Sequence, residues 1–95
     1  MTPACYLCPA PLVTWVTERG CTLVVNEENA EAFQMTGFNE VLWDCLVQGF
    51  SYAKIIQIAA EMRAGTPAVA DEMVQAVLRE WRELGLARIE EQAHG

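Results

Sequence analysis

The spacing of hydrophobic residues changes once along this chain, from alternation with a period of two to recurrence every three or four positions, and the change falls near residue 36. Before it, Leu12-Val13-Thr14-Trp15-Val16-Thr17 is rich in β-branched and aromatic residues. Glu18-Arg19-Gly20 supplies a turn, and Cys21-Thr22-Leu23-Val24-Val25 completes a predicted hairpin. Asn26-Glu27-Glu28-Asn29 is turn chemistry again, because short amide and carboxylate side chains bond their own backbone there. It leads into Glu31-Ala32-Phe33-Gln34-Met35, where Phe33 and Met35 alternate with smaller or polar neighbours, so a short third strand is expected.

After the change the pattern is helical. Thr36 is placed to cap a helix through Gln48, with Val41-Leu42-Trp43 and Leu46-Val47 as its buried stripe and Gly49 as its end. Ser51 repeats the capping role for a second helix from Tyr52 to about Ala64, stopped by Gly65. Thr66-Pro67 reads as cap and first helical residue of a third, since proline lacks only a donor that would be unpaired there. Ala70, Met73, Val74, Val77, Leu78, Trp81 and Leu84 then recur until Gly85, the strongest periodic signal in the chain. Leu86-Ala87-Arg88-Ile89 predicts a short extended piece. Pro3, Pro9 and Pro11 leave the first eleven residues short of donors, so 1–11 is expected to be a flexible arm, 12–90 the folded domain and 91–95 a frayed tail. The fold class expected is α+β: a winged-helix-like module, a three-stranded antiparallel sheet followed by three helices, with one sheet edge uncovered.

Composition narrows what such a module does. At 95 residues the chain supports one domain, since a chain of this size buries only about two-thirds of its unfolded surface. Hydrophobic residues are 53% of it, yet no segment approaches the roughly 18 uninterrupted apolar residues of a membrane span. Its start lacks the charged and apolar regions of a secretory signal, so a cytoplasmic, membrane-free setting is expected. Thirteen acidic against six basic residues give a net charge of -7, and Arg19, Lys54, Arg63, Arg79, Arg82 and Arg88 are scattered rather than clustered. That surface repels phosphate backbones.

Catalytic candidates are thin. Cys5-Tyr-Leu-Cys8 has the spacing of half a zinc site, but Cys21, Cys45 and His94 form no second close pair. In a cytoplasmic chain all four cysteines are expected reduced, with neither metal nor cofactor. His94 sits one residue from the end, a poor place to fix a general base, and Glu27-Glu28 and Glu90-Glu91 are neighbours whose side chains point apart. No phosphate loop, nucleophile elbow or metal-binding histidine pair occurs, so no enzyme activity is expected. Trp43 and Trp81 lie on apolar helix stripes and are assigned to the core. Met73 widens the stripe of the third helix, and flexible methionine suits a surface that accommodates a peptide.

Several features together resemble the PqqD-like family, the peptide-recognition domains of pathways that modify ribosomally made peptides. They are Ala32-Phe33-Gln34-Met35 leading to a capped helix, Val41-Leu42-Trp43, Gly49 followed by Ser51-Tyr52-Ala53-Lys54-Ile55, and Leu84-Gly85-Leu86 closing the third helix. The likeness spans about residues 12–90. Thr36 stands where members often carry Asn or Asp, and Met73 where many carry an acidic residue.

The resemblance implies a non-catalytic chaperone that binds the leader of a precursor peptide and presents it to a tailoring enzyme: a radical SAM enzyme, a cyclodehydratase or a lasso-type protease. A leader strand would pair with the edge formed by Glu31, Ala32, Phe33, Gln34 and Met35, its side chains entering a groove walled by Ala70, Met73, Val74 and Val77. One rival is a winged-helix DNA-binding regulator reading with its third helix. That helix carries Asp71, Glu72, Glu80 and Glu83 against Arg79 and Arg82, a net negative reader. Another is a structural or dimerisation subunit, because an open edge also pairs with a second copy.

Overall fold

The computed structural model describes residues 5–63 and 65–91. Its elements in chain order are β1 (Cys5–Pro9), β2 (Val13–Glu18), β3 (Cys21–Asn26), β4 (Glu31–Thr36), α1 (Phe38–Gln48), α2 (Tyr52–Arg63), α3 (Pro67–Glu83) and β5 (Ala87–Glu91). The fold is α+β, with the three-stranded antiparallel sheet β2-β3-β4 followed by three helices, as the residue pattern predicts. Among the described residues no helix is long and apolar enough to cross a membrane.

Strand pairing assigns the two faces of the sheet, because residues directly opposite one another share a face. Trp15, Val24 and Phe33 form one cross-strand row, and Thr17, Thr22 and Met35 the next. These rows face the helices: Val24 and Met35 are buried with Leu42, Trp43 and Leu46 of α1 and with Ala70, Val74, Leu78 and Trp81 of α3. The opposite face, with Val16 opposite Leu23 and then Gln34, is open, Val16 being 60% exposed.

Two expectations fail at the ends of elements. Residues 5–9 are not an arm: β1 pairs antiparallel with β5, from Cys5 opposite Glu91 to Pro9 opposite Ala87, as a separate two-stranded sheet. Pairing between the two ends of the described chain supplies partners that no local signal announces. Pro9, which cannot donate, takes the strand end where that loss is tolerated. Residues 87–89 of the expected extended piece are thus the beginning of β5, and Glu91 belongs to the strand rather than to a tail. Residues 1–4, Ala64 and 92–95 lie outside the described residues.

Thr36 is not the cap of α1 either. It remains in the ladder opposite Cys21, and the cap falls on Gly37, whose φ of 58° and ψ of -127° suit glycine and which contributes no side-chain bond. The other two caps are as expected: Ser51 Oγ accepts from Lys54 N–H at 3.2 Å, and Thr66 Oγ1 from Val69 N–H at 3.3 Å ahead of Pro67.

The end of α3 fixes the rest. Gly85 N–H donates to Arg82 O at 3.1 Å and Leu86 N–H to Trp81 O at 2.8 Å, the double closure that needs a left-handed residue at Gly85, here at φ 74°. Buried Asn26, at the end of β3, donates from Nδ2 to Leu84 O at 3.3 Å while its Oδ1 accepts from Glu28 N–H at 3.0 Å. One side chain therefore shapes the turn before β4 and ties it to the end of α3. Leu86, fully buried, then leads into β5, and Ala10 N–H donates to Leu86 O at 3.0 Å.

A Cβ at Gly85 would lie 3.0 Å from Asn26 Nδ2 and carry a left-handed backbone. Gly85→Ala is expected to cost about 1–2 kcal/mol from the backbone alone, and more if Asn26 is displaced from Leu84 O. A lower urea midpoint with an unchanged slope is the expected outcome; a wild-type midpoint would contradict this account of the helix end.

Candidate functional site

In strand β4 the residue types alternate by face. Met35 is buried and Phe33 half-buried, whereas Glu31, Ala32, Gln34 and Thr36 are exposed. Along its length β4 pairs with β3 on one side, and among the described residues no strand pairs with its other side, so its outer backbone groups lie on a sheet edge. The turn before it is built by Asn29, whose Oδ1 accepts from Glu31 N–H at 3.0 Å while its Nδ2 donates to Glu31 Oε1 at 2.9 Å. Ala30 there has φ 62°. This local geometry sets where the edge begins.

The four residues expected on α3 share one side of the helix but divide by depth. Ala70 and Val74 are buried in the common core with Met35, so they underlie the surface rather than form it. The physical reason is their spacing: four apart, they occupy the centre of the apolar stripe, where contact with the body of the protein is closest. Met73 and Val77 are half-buried at the margin of that stripe. The elements packed most closely against α3 are α2 and β5, and those against β4 are β3 and α1. Met35, Ala70 and Val74 belong to one buried core, and Phe33, Met73 and Val77 are half-buried residues packed against that core, while β4 and α3 are not themselves a closely packed pair of elements.

A polar contact holds α3 to α2. Tyr52 donates its phenolic proton to Asp71 Oδ1, and Gln75 Nε2 donates to the same oxygen at 2.9 Å. Burial, followed by this bond, pushes the Tyr52 hydroxyl up to about 12, while the bond from Tyr52 and then that from Gln75 hold the Asp71 carboxyl below its usual range. Asp71 and Gln75 sit one turn apart, so a single carboxylate secures the first half of α3.

Reactive chemistry is sparse among the described residues. No group of three or more His, Cys, Asp or Glu side chains is arranged to hold a metal ion. Cys45 is buried, and desolvation followed by the Asp44 charge raises its thiol pKa, which makes it an inert packing residue. His94 lies outside the described residues.

One concave region was not foreseen from the sequence. Between the β2–β3 hairpin and α1 lies a cleft of about 270 Å³, with Trp15 and Trp43 as its aromatic wall and Glu40 and Asp44 at the helix side. The signal present in the sequence is the spacing of Glu40, Val41, Asp44 and Val47, which places them on one face of α1. Only the tertiary fold puts the hairpin opposite that face.

Comparison with protein-family models, with curated proteins and with solved structures gives no match.

The Tyr52–Asp71 contact has a definite pH signature. A tyrosine whose folded pKa lies above its ordinary value of 10.0 contributes stability that is full below pH 10 and lost as pH rises toward about 12. Asp71, depressed from 3.8, contributes stability that is present above that value and lost as pH falls through the lower folded one. Stability against pH for Tyr52→Phe is expected to lack the wild-type loss between pH 10 and about 12 that this side chain supplies. Identical alkaline limbs in the two proteins would show that the hydroxyl contributes nothing.

Proposed function

We propose that this chain is a non-catalytic peptide-binding module that takes the extended leader of a ribosomally made precursor by strand addition at β4 and hands it to a tailoring enzyme. The observation that carries this is the sheet order β2-β3-β4, which leaves the outer side of β4 without a strand partner among the described residues. An added strand satisfies that row of backbone groups and gains alignment from it, while alternate side chains gain selectivity. Phe33, Met73 and Val77 are the half-exposed apolar residues suited to receive those side chains, each packed against the core that contains Met35, Ala70 and Val74. Met73 suits a site that accepts variable side chains, because its thioether chain repacks at little cost.

The resemblance to PqqD-like domains points the same way, as does the net charge of -7, which opposes edge-to-edge association of identical copies and favours a basic leader or enzyme face. The enzyme partner on this proposal is a radical SAM enzyme, a cyclodehydratase or a lasso-type protease, and the setting cytoplasmic.

A synthetic leader from a precursor gene neighbouring this one, titrated into isotope-labelled protein, is expected to shift the amides of residues 31–36 and the side-chain signals of Met73 and Val77. Shifts confined to β2 or α2, or none, would overturn the assignment. Val77→Asp sets an unpaired charge in a half-buried apolar position and is expected to weaken leader binding by roughly tenfold or more. An unchanged affinity in a folded variant would remove Val77 from the site.

A further inference from the structure

We infer that the cleft between the β2–β3 hairpin and α1 is a second binding site, for an arginine side chain presented by an extended segment of a partner polypeptide. Its size suits one side chain: about 270 Å³ lies at or below the small end of ordinary ligand pockets. Its chemistry suits a planar cation. Glu40 and Asp44, one helical turn apart, both line it, and among the described residues neither carboxylate is paired with a cation. A guanidinium spans two acceptors where an ammonium meets them only as a point charge.

The opposite wall is aromatic. Trp15 is 39% exposed although it packs edge-on against Trp43 with ring centroids 5.6 Å apart, so part of a large indole surface remains open beside two carboxylates. A guanidinium plane stacks on such a surface, and the attraction of cation for ring adds to that of carboxylate for cation. Thr17 and Thr22 also line the cleft, their hydroxyl oxygens 2.9 Å apart, and supply further acceptor capacity.

Trp43 gives an independent indication that something polar belongs here. It lines the cleft, is 1% exposed, and its indole N–H meets no protein acceptor. Buried donors are nearly always satisfied; this one has no exposed surface in the free protein, so a backbone carbonyl of an inserted segment reaches it only where the cleft wall moves.

Topology says how a polypeptide delivers the side chain. β2 is the sheet edge opposite β4, and Trp15 and Thr17 lie on its helix-facing side. A segment paired with β2 directs every second side chain to that same side, toward α1. The site is separate from the β4 edge, so it stands or falls independently of the proposed leader binding.

The test uses the full chain, isotope-labelled, with acetyl-Thr-Arg-Thr-amide as probe and the neutral citrulline peptide as control. Expected are saturable shifts of the Trp15 and Trp43 indole N–H signals and of amides 15–17 and 40–47, weakened by salt. The citrulline peptide and the Glu40→Gln, Asp44→Asn double variant should each bind at least fivefold more weakly. Asp44 is exposed and Glu40 half-buried, both replacements are isosteric amides, and an unchanged amide spectrum away from α1 checks that the double variant is folded. Equal binding of the citrulline peptide, shifts located on β4 or α3, or no saturable shift at the solubility limit would each overturn the proposal. So would movement of the same signals on dilution without peptide, which would assign the cleft to a second copy of the chain.

Discussion

Trp43 is the contact on which the rest of the molecule depends. It stands between Trp15 of β2 and Trp81 of α3, meeting each edge-to-face, with centroids 5.6 and 5.5 Å away and the rings inclined by 77° in both cases. Such pairs contribute about 0.5–1.5 kcal/mol each beyond the burial of their area. More important is what they join: the sheet, the first helix and the last helix through one residue that is 1% exposed. The indole N–H without an acceptor costs about 1–3 kcal/mol. In the free protein, burial of the ring and two edge contacts offset that cost.

With that centre fixed, the remaining ties determine how α3 lies. Asn26 bonds the last carbonyl region of α3 to the turn before β4, and Tyr52 with Gln75 holds Asp71 near its start. The two ends of α3 are therefore secured by polar contacts to different parts of the molecule, and its middle by Val74 and Leu78 in the core. This leaves Met73 and Val77 as the half-exposed margin of a rigid helix. A peptide site built on such a margin gains from rigidity, since little side-chain or backbone ordering remains to be lost on binding. The sheet has two edges, β4 and β2, each with one side unpaired among the described residues, and the net charge of -7 opposes pairing of those edges with identical chains.

Much of this fold is legible in the residue pattern because its elements are specified locally. Phe33 and Met35 announce a strand by alternation, and Ala70 through Trp81 announce a helix by spacing. Ser51 and Thr66 bond backbone amides three residues ahead, so their roles depend on nothing distant. Thr36 carries the same local signal and is overridden. The ladder with Cys21 continues one residue further, and the glycine that follows takes the cap. Strand β1 is the opposite case. Its prolines argue for irregular chain, and only the arrival of β5 turns Cys5–Pro9 into a strand.

The candidate sites divide in the same way. By itself the sequence determined that residues 31–35 form a strand, that Ala70, Met73, Val74 and Val77 share one side of a helix, and that the chain is acidic with scattered bases, because period, capping chemistry and charge act over a few neighbouring positions. Tertiary structure decided depth and company. It placed Ala70 and Val74 in the core while leaving Met73 and Val77 half-exposed, and it set Trp15 of β2 against Trp43 in a cleft that Glu40 and Asp44 also line. Those outcomes depend on which distant surfaces meet, and burial and long-range pairing are properties of the packed whole rather than of any segment.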